Sequence, residues 1–278
     1  MKKTTSMITG AVQSAEAAGT DYAVKRFATL EAFLNDAGQL GRFTATFFRT
    51  LLTPPYEIGE FLRQAYLVGN KSVSLVGLTG FIMGIVLTMQ SRPTLAEFGA
   101  ESWLPAMVAI SIVREIGPVV TALISAGKVG SGIGAELASM RVTEQIDAMQ
   151  VSGTDPFKYI VTTRVLAVTV MIPVLTVFSD AFGMLGSYIG VNIRSDVSIR
   201  LFFTQAVTKL VFIDVVPALI KTFFFGFAIG LIGCFKGYYA NSGTEGVGRA
   251  ANAAVVTSSL LIFVIDMIAV QITSLFLK

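Results

Sequence analysis

The sequence predicts an all-α integral membrane protein, and three observations predict it. Hydrophobic residues make up 53% of the 278 positions and charged ones only 14%, whereas soluble domains carry about 25% charged residues. The mean hydropathy is +0.70. Five apolar stretches approach or exceed the roughly 20 residues that a helix needs to cross a bilayer. A soluble core of this length could not hide so much apolar surface.

Composition also excludes chemistry. There is no His and a single Cys, Cys234. An internal disulfide is therefore impossible, and a Cys/His metal site or thiol nucleophile has almost no material. We expect no catalytic residue, no metal and no cofactor in this chain. A net charge of +3 is too small to argue for nucleic acid.

Residues 1–20 lack the apolar core of a signal peptide and read as a polar tail. Between Asp21 and Leu52, Phe27, Leu30, Phe33 and Leu34, then Phe43, Phe47, Phe48 and Leu51, recur at helical spacing among Lys25, Arg26, Arg42 and Arg49. That pattern suits helices lying in the membrane interface, or an amphipathic face packed on a protein partner. Thr53-Pro54-Pro55 ends the segment. Tyr56–Leu67 reads as a second short amphipathic helix, so 21–68 forms an interfacial region before a membrane-spanning body at 69–278.

The five spans fall at about 72–91, 103–125, 157–193, 210–235 and 250–277. Ser102 is a plausible N-cap for the second, with Pro105 in its first turn, and Asp155-Pro156 would start the third as N-cap and N1. Orientation follows from Lys and Arg in the connections. With the N-terminus inside, fourteen of the 21 basic residues lie on the inner side and five outside. Glycine pairs at four-residue spacing, Gly80/Gly84, Gly186/Gly190, Gly226/Gly230 and Gly233/Gly237, allow close approach between helices or between two copies of the chain.

The stretch Ser111–Met149 carries the features that could do something. Ionisable groups inside spans are expensive and point to function by default: Arg114, Glu115, Asp180, Asp214, Lys221 and Asp266. They could lock helices together as ion pairs, or serve a proton or ion relay. Gly127–Gly134 holds four glycines and Lys128, but Val129 follows the Lys where a phosphate-binding loop needs Ser or Thr, and an apolar helix precedes it. The glycines read instead as a sharp turn at the membrane surface. Residues 135–150 then form a surface helix, with Glu136, Arg141, Glu144 and Asp147 facing water or a partner and Leu137, Met140, Ile146 and Met149 supplying apolar contacts.

The segment from Ile112 to Met149, followed by Thr154-Asp155-Pro156, closely resembles the MlaE/YrbE family of ABC-transporter permeases. Its R-E-x-G-P run at Arg114–Pro118 and the A-E-x-x-x-M-x-x-x-E-Q run at Ala135–Gln145 carry the likeness, with Gly80–Gly84 and Ala100-Glu101-Ser102. The resemblance implies a multi-pass inner-membrane permease with a cytoplasmic N-terminus, paired with a second copy of itself. It further implies two ATP-binding subunits that hold ATP and Mg, an MCE-domain protein, commonly a hexameric ring, and a STAS-domain subunit in some systems. Such complexes move phospholipids between inner and outer membranes. On that likeness, lipid contacts fall at Leu87, Thr94, Leu95, Phe98, Arg114 and Glu115, where Thr94 and Phe98 depart from the family's usual residues. The helix 135–150, through Glu136, Met140, Arg141, Glu144 and Asp147, would couple to the ATPase. An ion- or proton-coupled secondary transporter using Glu115 and the span aspartates, and a non-transporting scaffold for an MCE ring, are the competing readings.

Overall fold

The computed structural model describes residues 35–193, 196–240 and 243–276. The expected polar tail at 1–20, residues 21–34 of the first interfacial segment, Arg194 and Lys278 lie outside the described residues. Contacts divide the chain into Met1–Arg49 and Thr50–Lys278. Helix α1 covers 35–51, in register with the expected amphipathic segment.

Beyond it, the described residues form helices only. Helix α2 spans Ile58–Glu97. The second membrane segment is built from α3 (Leu104–Ser111), α4 (Gly117–Ser125) and α5 (Ser131–Val142), joined by π-helical turns at Ile112–Ile116 and Ala126–Gly130. Helix α6 covers Gln145–Val151, and a further π turn at Phe157–Thr162 leads into α7 (Thr163–Asn192). Then come α8 (Ile199–Thr208), α9 (Phe212–Tyr238) and α10 (Thr244–Phe276). Five helical runs are long and apolar enough to cross a membrane: Ile58–Glu97, Glu101–Val142, Phe157–Asn192, Phe212–Tyr238 and Thr244–Leu275. The five expected spans are all present.

Three expectations are corrected. Tyr56–Leu67 is not a separate piece: α2 runs unbroken for 40 residues, about 60 Å at 1.5 Å per residue. That is twice the roughly 30 Å of hydrocarbon, so its ends continue beyond the apolar stretch. Ser102 makes no N-cap bond. It sits in a 3₁₀ turn, Glu101–Trp103, ahead of α3.

The glycine run at 127–134 is not a turn. It continues the second segment as a π turn and then α5, all with right-handed backbone. Its glycines serve close packing: a Cβ on Gly134 would sit 3.2 Å from the Ala254 Cβ, and one on Gly237 would sit 2.7 Å from the Gly134 carbonyl oxygen. The same use accounts for the spaced pairs. Cβ atoms on Gly84 and Gly186 would strike the Gly183 and Phe81 carbonyls, so α2 and α7 lie backbone to backbone there. Gly226 and Gly230 do the same for α9 against Val168 and Val165 of α7. The spaced pairs are thus used between helices of one chain.

Asp155 caps the third span as expected, its Oδ1 accepting the Phe157 amide at 3.0 Å and the Lys158 amide at 3.3 Å. Helix α8 was not anticipated. Ser198 Oγ accepts the Leu201 amide at 3.3 Å, and α8 seats Phe202 and Ala206 against Leu104, Val108 and Ile112 at the far end of the spans. There Lys209 Nζ stands 4.9 Å over the Trp103 ring.

Candidate functional site

The intramembrane charges form a linked cluster across three spans. Arg114 and Glu115 lie in the π turn at Ile112–Ile116, a wide turn of the kind that recurs at functional positions. Gly117 N–H bonds back to the Ile112 carbonyl, and Pro118 brings no N–H to extend that ladder. From this turn Arg114 reaches the first turn of α9, where its Nη2 donates to Asp214 Oδ1 at 2.5 Å. Asp214 Oδ2 in turn accepts the Val211 amide at 3.1 Å and so caps α9. Glu115 reaches a deeper turn of the same helix: Lys221 Nζ donates to Glu115 Oε2 at 2.5 Å and to Asp266 Oδ1 of α10 at 2.9 Å.

Two cations thus meet three carboxylates. The Lys221 and Asp214 side chains are each 5% exposed, whereas Arg114 is 36% and Glu115 38% exposed. The cluster is anchored from within and shows an adjacent guanidinium and carboxylate on its outer face. Burying unpaired charge would cost several kcal/mol per ion, so each buried member has a partner. The helix-locking reading of these residues holds for Arg114, Glu115, Asp214, Lys221 and Asp266 together. The sequence marked each as costly but gave no pairing, because the partners lie up to 106 residues apart.

Asp180 is different. It lies on α7 beside a cavity of about 170 Å³ lined by Val113, Pro118 and Val215. Its Oδ1 has no hydrogen-bond partner among the described residues, and the carboxyl packs on Gly117, where a Cβ would collide with it. With no cation to pair it, a neutral carboxyl or amide suits this position. Asp180→Asn is therefore expected to leave stability within about 1 kcal/mol of wild type. Thermal melting of the full chain in detergent checks this, and a large loss would mean that the charge is used.

The structure divides the six expected lipid contacts. Leu87 and Leu95 pack against the cluster that includes Leu104, Val108 and Ile112, on the segment that leads into the Arg114–Glu115 turn. Thr94 is exposed and Phe98 is 78% exposed, near the end of α2, where Gly99 turns the chain with φ +64°. Arg92 lies beside them, donating to the Val191 carbonyl at 3.2 Å and standing 3.7 Å from Glu101.

The expected coupling helix over 135–150 is two helices meeting at a corner. Helix α5 ends at Val142, and Glu144 precedes α6 with φ 58°, a left-handed backbone that costs a non-glycine residue about 1–2 kcal/mol. Arg141 Nη1 reaches Asp147 Oδ1 across the corner at 2.7 Å, and Ile146 is fully buried beneath it. Met140 and Met149 are half-buried and Glu144 is exposed. Glu136 is 54% exposed and also holds an ion pair within the chain. Its carboxylate accepts Arg164 Nη2 of α7 at 2.7 Å, and the Arg164 side chain is 5% exposed.

Five long apolar helices with a charge cluster inside them define a multi-pass membrane protein. The chain belongs to the MlaE permease family, whose model matches residues 61–272. It is 39% identical over 246 residues to a probable ABC transporter permease protein of Rickettsia prowazekii, covering 88% of this chain and 94% of that one. A probable ABC transporter permease protein of Synechocystis is 36% identical over 203 residues, covering 73% and 77%. The intermembrane phospholipid transport system permease protein MlaE of Haemophilus influenzae is 32% identical over 237 residues, covering 84% and 91%.

Proposed function

We propose that this chain is the membrane-spanning subunit of an ABC transporter that moves phospholipids between the inner and outer membranes. It performs no chemistry itself: ATP and Mg are held by two separate ATP-binding subunits. The observation that carries this reading is the outer face of the charge cluster. Arg114 and Glu115 stay more than a third exposed within a span, and polar surface at that depth needs a water-lined or ligand-filled cavity. A guanidinium beside a carboxylate suits the phosphate and amine of a zwitterionic head group, and Leu87, Leu95 and Phe98 offer apolar surface for acyl chains. The name of the Haemophilus relative supports the substrate class.

The cavity closes only with a second copy of the chain. Helix α10 supports this, since Leu260, Phe263 and Met267 leave more than half of their surface uncovered within one chain. The N-terminus and the α5–α6 corner lie on the cytoplasmic side, by the excess of Lys and Arg there. ATP-driven closure of the motor subunits pushes the corner and, through α5, the second span that carries Arg114 and Glu115. Lipid then passes to or from an MCE-domain protein, probed as a hexamer, on the opposite side, with a STAS-domain subunit as an optional member.

Two measurements test this. Mild-detergent pull-down of the tagged chain is expected to recover an ATPase, an MCE protein and enriched phospholipid together. A chain recovered with neither ATPase nor lipid would return the argument to a proton-coupled carrier, for which Glu115→Gln should abolish transport rather than weaken it. Glu144→Lys reverses an exposed charge at the corner without breaking an ion pair. It is expected to weaken ATPase association about tenfold, the equivalent of ~1.4 kcal/mol. Unchanged association would remove the corner from the coupling role.

A further inference from the structure

A second apolar cavity lies at the opposite end of the spans from Phe98. It has a volume of about 280 Å³, is open on one side, and is lined by Leu51, Tyr56 and Phe61 on one wall and by Thr163, Leu166 and Val170 of α7 on the other. For scale, a cavity of ~150 Å³ holds a benzene ring. The walls are dry by construction. Thr163 Oγ1 donates to the Tyr159 carbonyl at 2.6 Å and Thr162 Oγ1 to the Phe157 carbonyl at 3.4 Å, so the hydroxyls spend their donors on their own helix.

The mouth is charged. Lys158 and Glu57 both line the cavity. The Lys158 ammonium uses one donor on the Thr53 carbonyl at 2.5 Å, which leaves two of its three. Neither side chain has an ion-pair partner among the described residues. The flanking surface is apolar and open: Tyr56 is 61%, Ile58 63% and Leu62 59% exposed. An apolar cavity beginning where the spans begin, with one cation and one anion at its rim, faces the depth at which phospholipid glycerol and upper acyl carbons lie.

We propose that this cavity holds one acyl chain of a glycerophospholipid, with the lipid phosphate on Lys158 and its head-group amine toward Glu57. Acyl chains surround the protein at this level, so transfer from the bilayer gains little hydrophobic free energy. Occupancy comes from filling a void that would otherwise forfeit dispersion contacts, and preference comes from the two charges. The site is separate from the Arg114–Glu115 face and needs no transport cycle, so it stands or falls independently of the proposed function.

The test uses the full chain in nanodiscs of phosphatidylethanolamine and phosphatidylglycerol doped with a phospholipid carrying a photoactivatable group midway along one acyl chain. Labelled peptides are then mapped by mass spectrometry. Peptides spanning 50–61 and 163–170 are expected to be labelled. Leu166→Trp, which fills the cavity with a larger apolar side chain, should reduce that labelling to background while labelling around Phe98 persists. Glu57→Gln, which removes the partner of the amine, should abolish any preference between the two head groups at this site without emptying it. Labelling at 50–61 that survives Leu166→Trp would overturn the proposal. So would a photo-crosslinker placed at position 166 that captures the chain's own residues 1–34, since the cavity would then be an internal docking site.

Discussion

Lys221→Met is expected to destabilise the permease by about 3–5 kcal/mol, the cost of leaving a buried charge without its partner. Among the described residues, Lys221 is the cation bonded to both Glu115 and Asp266, so its removal strands two carboxylates together. Glu115 is still 38% exposed, which places the loss at the lower end of that range. Melting of the purified full chain in detergent measures it. The triple variant Lys221→Met with Glu115→Gln and Asp266→Asn should recover most of the loss, because no charge is then left unpaired. A single Lys221→Met variant that melts like wild type would mean that the cluster contributes no net stability and that its members are held for another reason.

This contrast explains what was legible in the sequence and what was not. Long apolar runs report spans directly, because a bilayer demands length and apolarity in one continuous stretch. Their ends are less legible. Lys71 looks like a boundary, yet α2 passes straight through it, since packing on α7 carries the helix beyond the hydrocarbon. Charges inside spans also announce themselves, because each is costly. Which cation meets which carboxylate is a tertiary fact, and Arg114 and Glu115 meet different turns of α9 despite being neighbours. Asp180 shows the limit: it carries the same intramembrane signal but has no charged partner among the described residues.

The segment proposed to couple to the ATPase was half legible. Its polar composition marked a segment outside the bilayer, but nothing in the letters placed a break at Glu144, a residue type with no preference for left-handed backbone. The ion pair made by Glu136 was illegible for a related reason. Its partner Arg164 falls near the start of the expected third span, 28 residues away, with nothing in the sequence to pair the two, and the structure buries it in α7. Helix α8 was readable and was missed: Ser198 is a good N-cap, and Phe202 and Ala206 repeat at helical spacing, though over only ten residues.

Glycine was the residue most easily misjudged, and the largest expected effect follows from it. A glycine can supply backbone freedom or the absence of a side chain, and the sequence does not say which. Gly84→Leu should prevent α2 and α7 from packing, because even the first carbon of the new side chain would collide with the Gly183 carbonyl. Backbone cannot yield as a flexible side chain does, so a loss of at least about 4–5 kcal/mol, at the exceptional end for a single substitution, is expected. The chain should fail to accumulate or should lose its melting transition. Gly127 and Gly132 are the matched controls. Both lie in right-handed helical backbone, and a Cβ on either meets nothing within 4 Å. Gly127→Ala and Gly132→Ala should therefore each stabilise the chain by up to about 1 kcal/mol, the helix preference of alanine over glycine. A turn at this position would give the opposite sign, since alanine would be strained there. The pair of alanine variants thus decides between a flexible exit from the membrane and a rigid helix that transmits motion from the α5–α6 corner into the span.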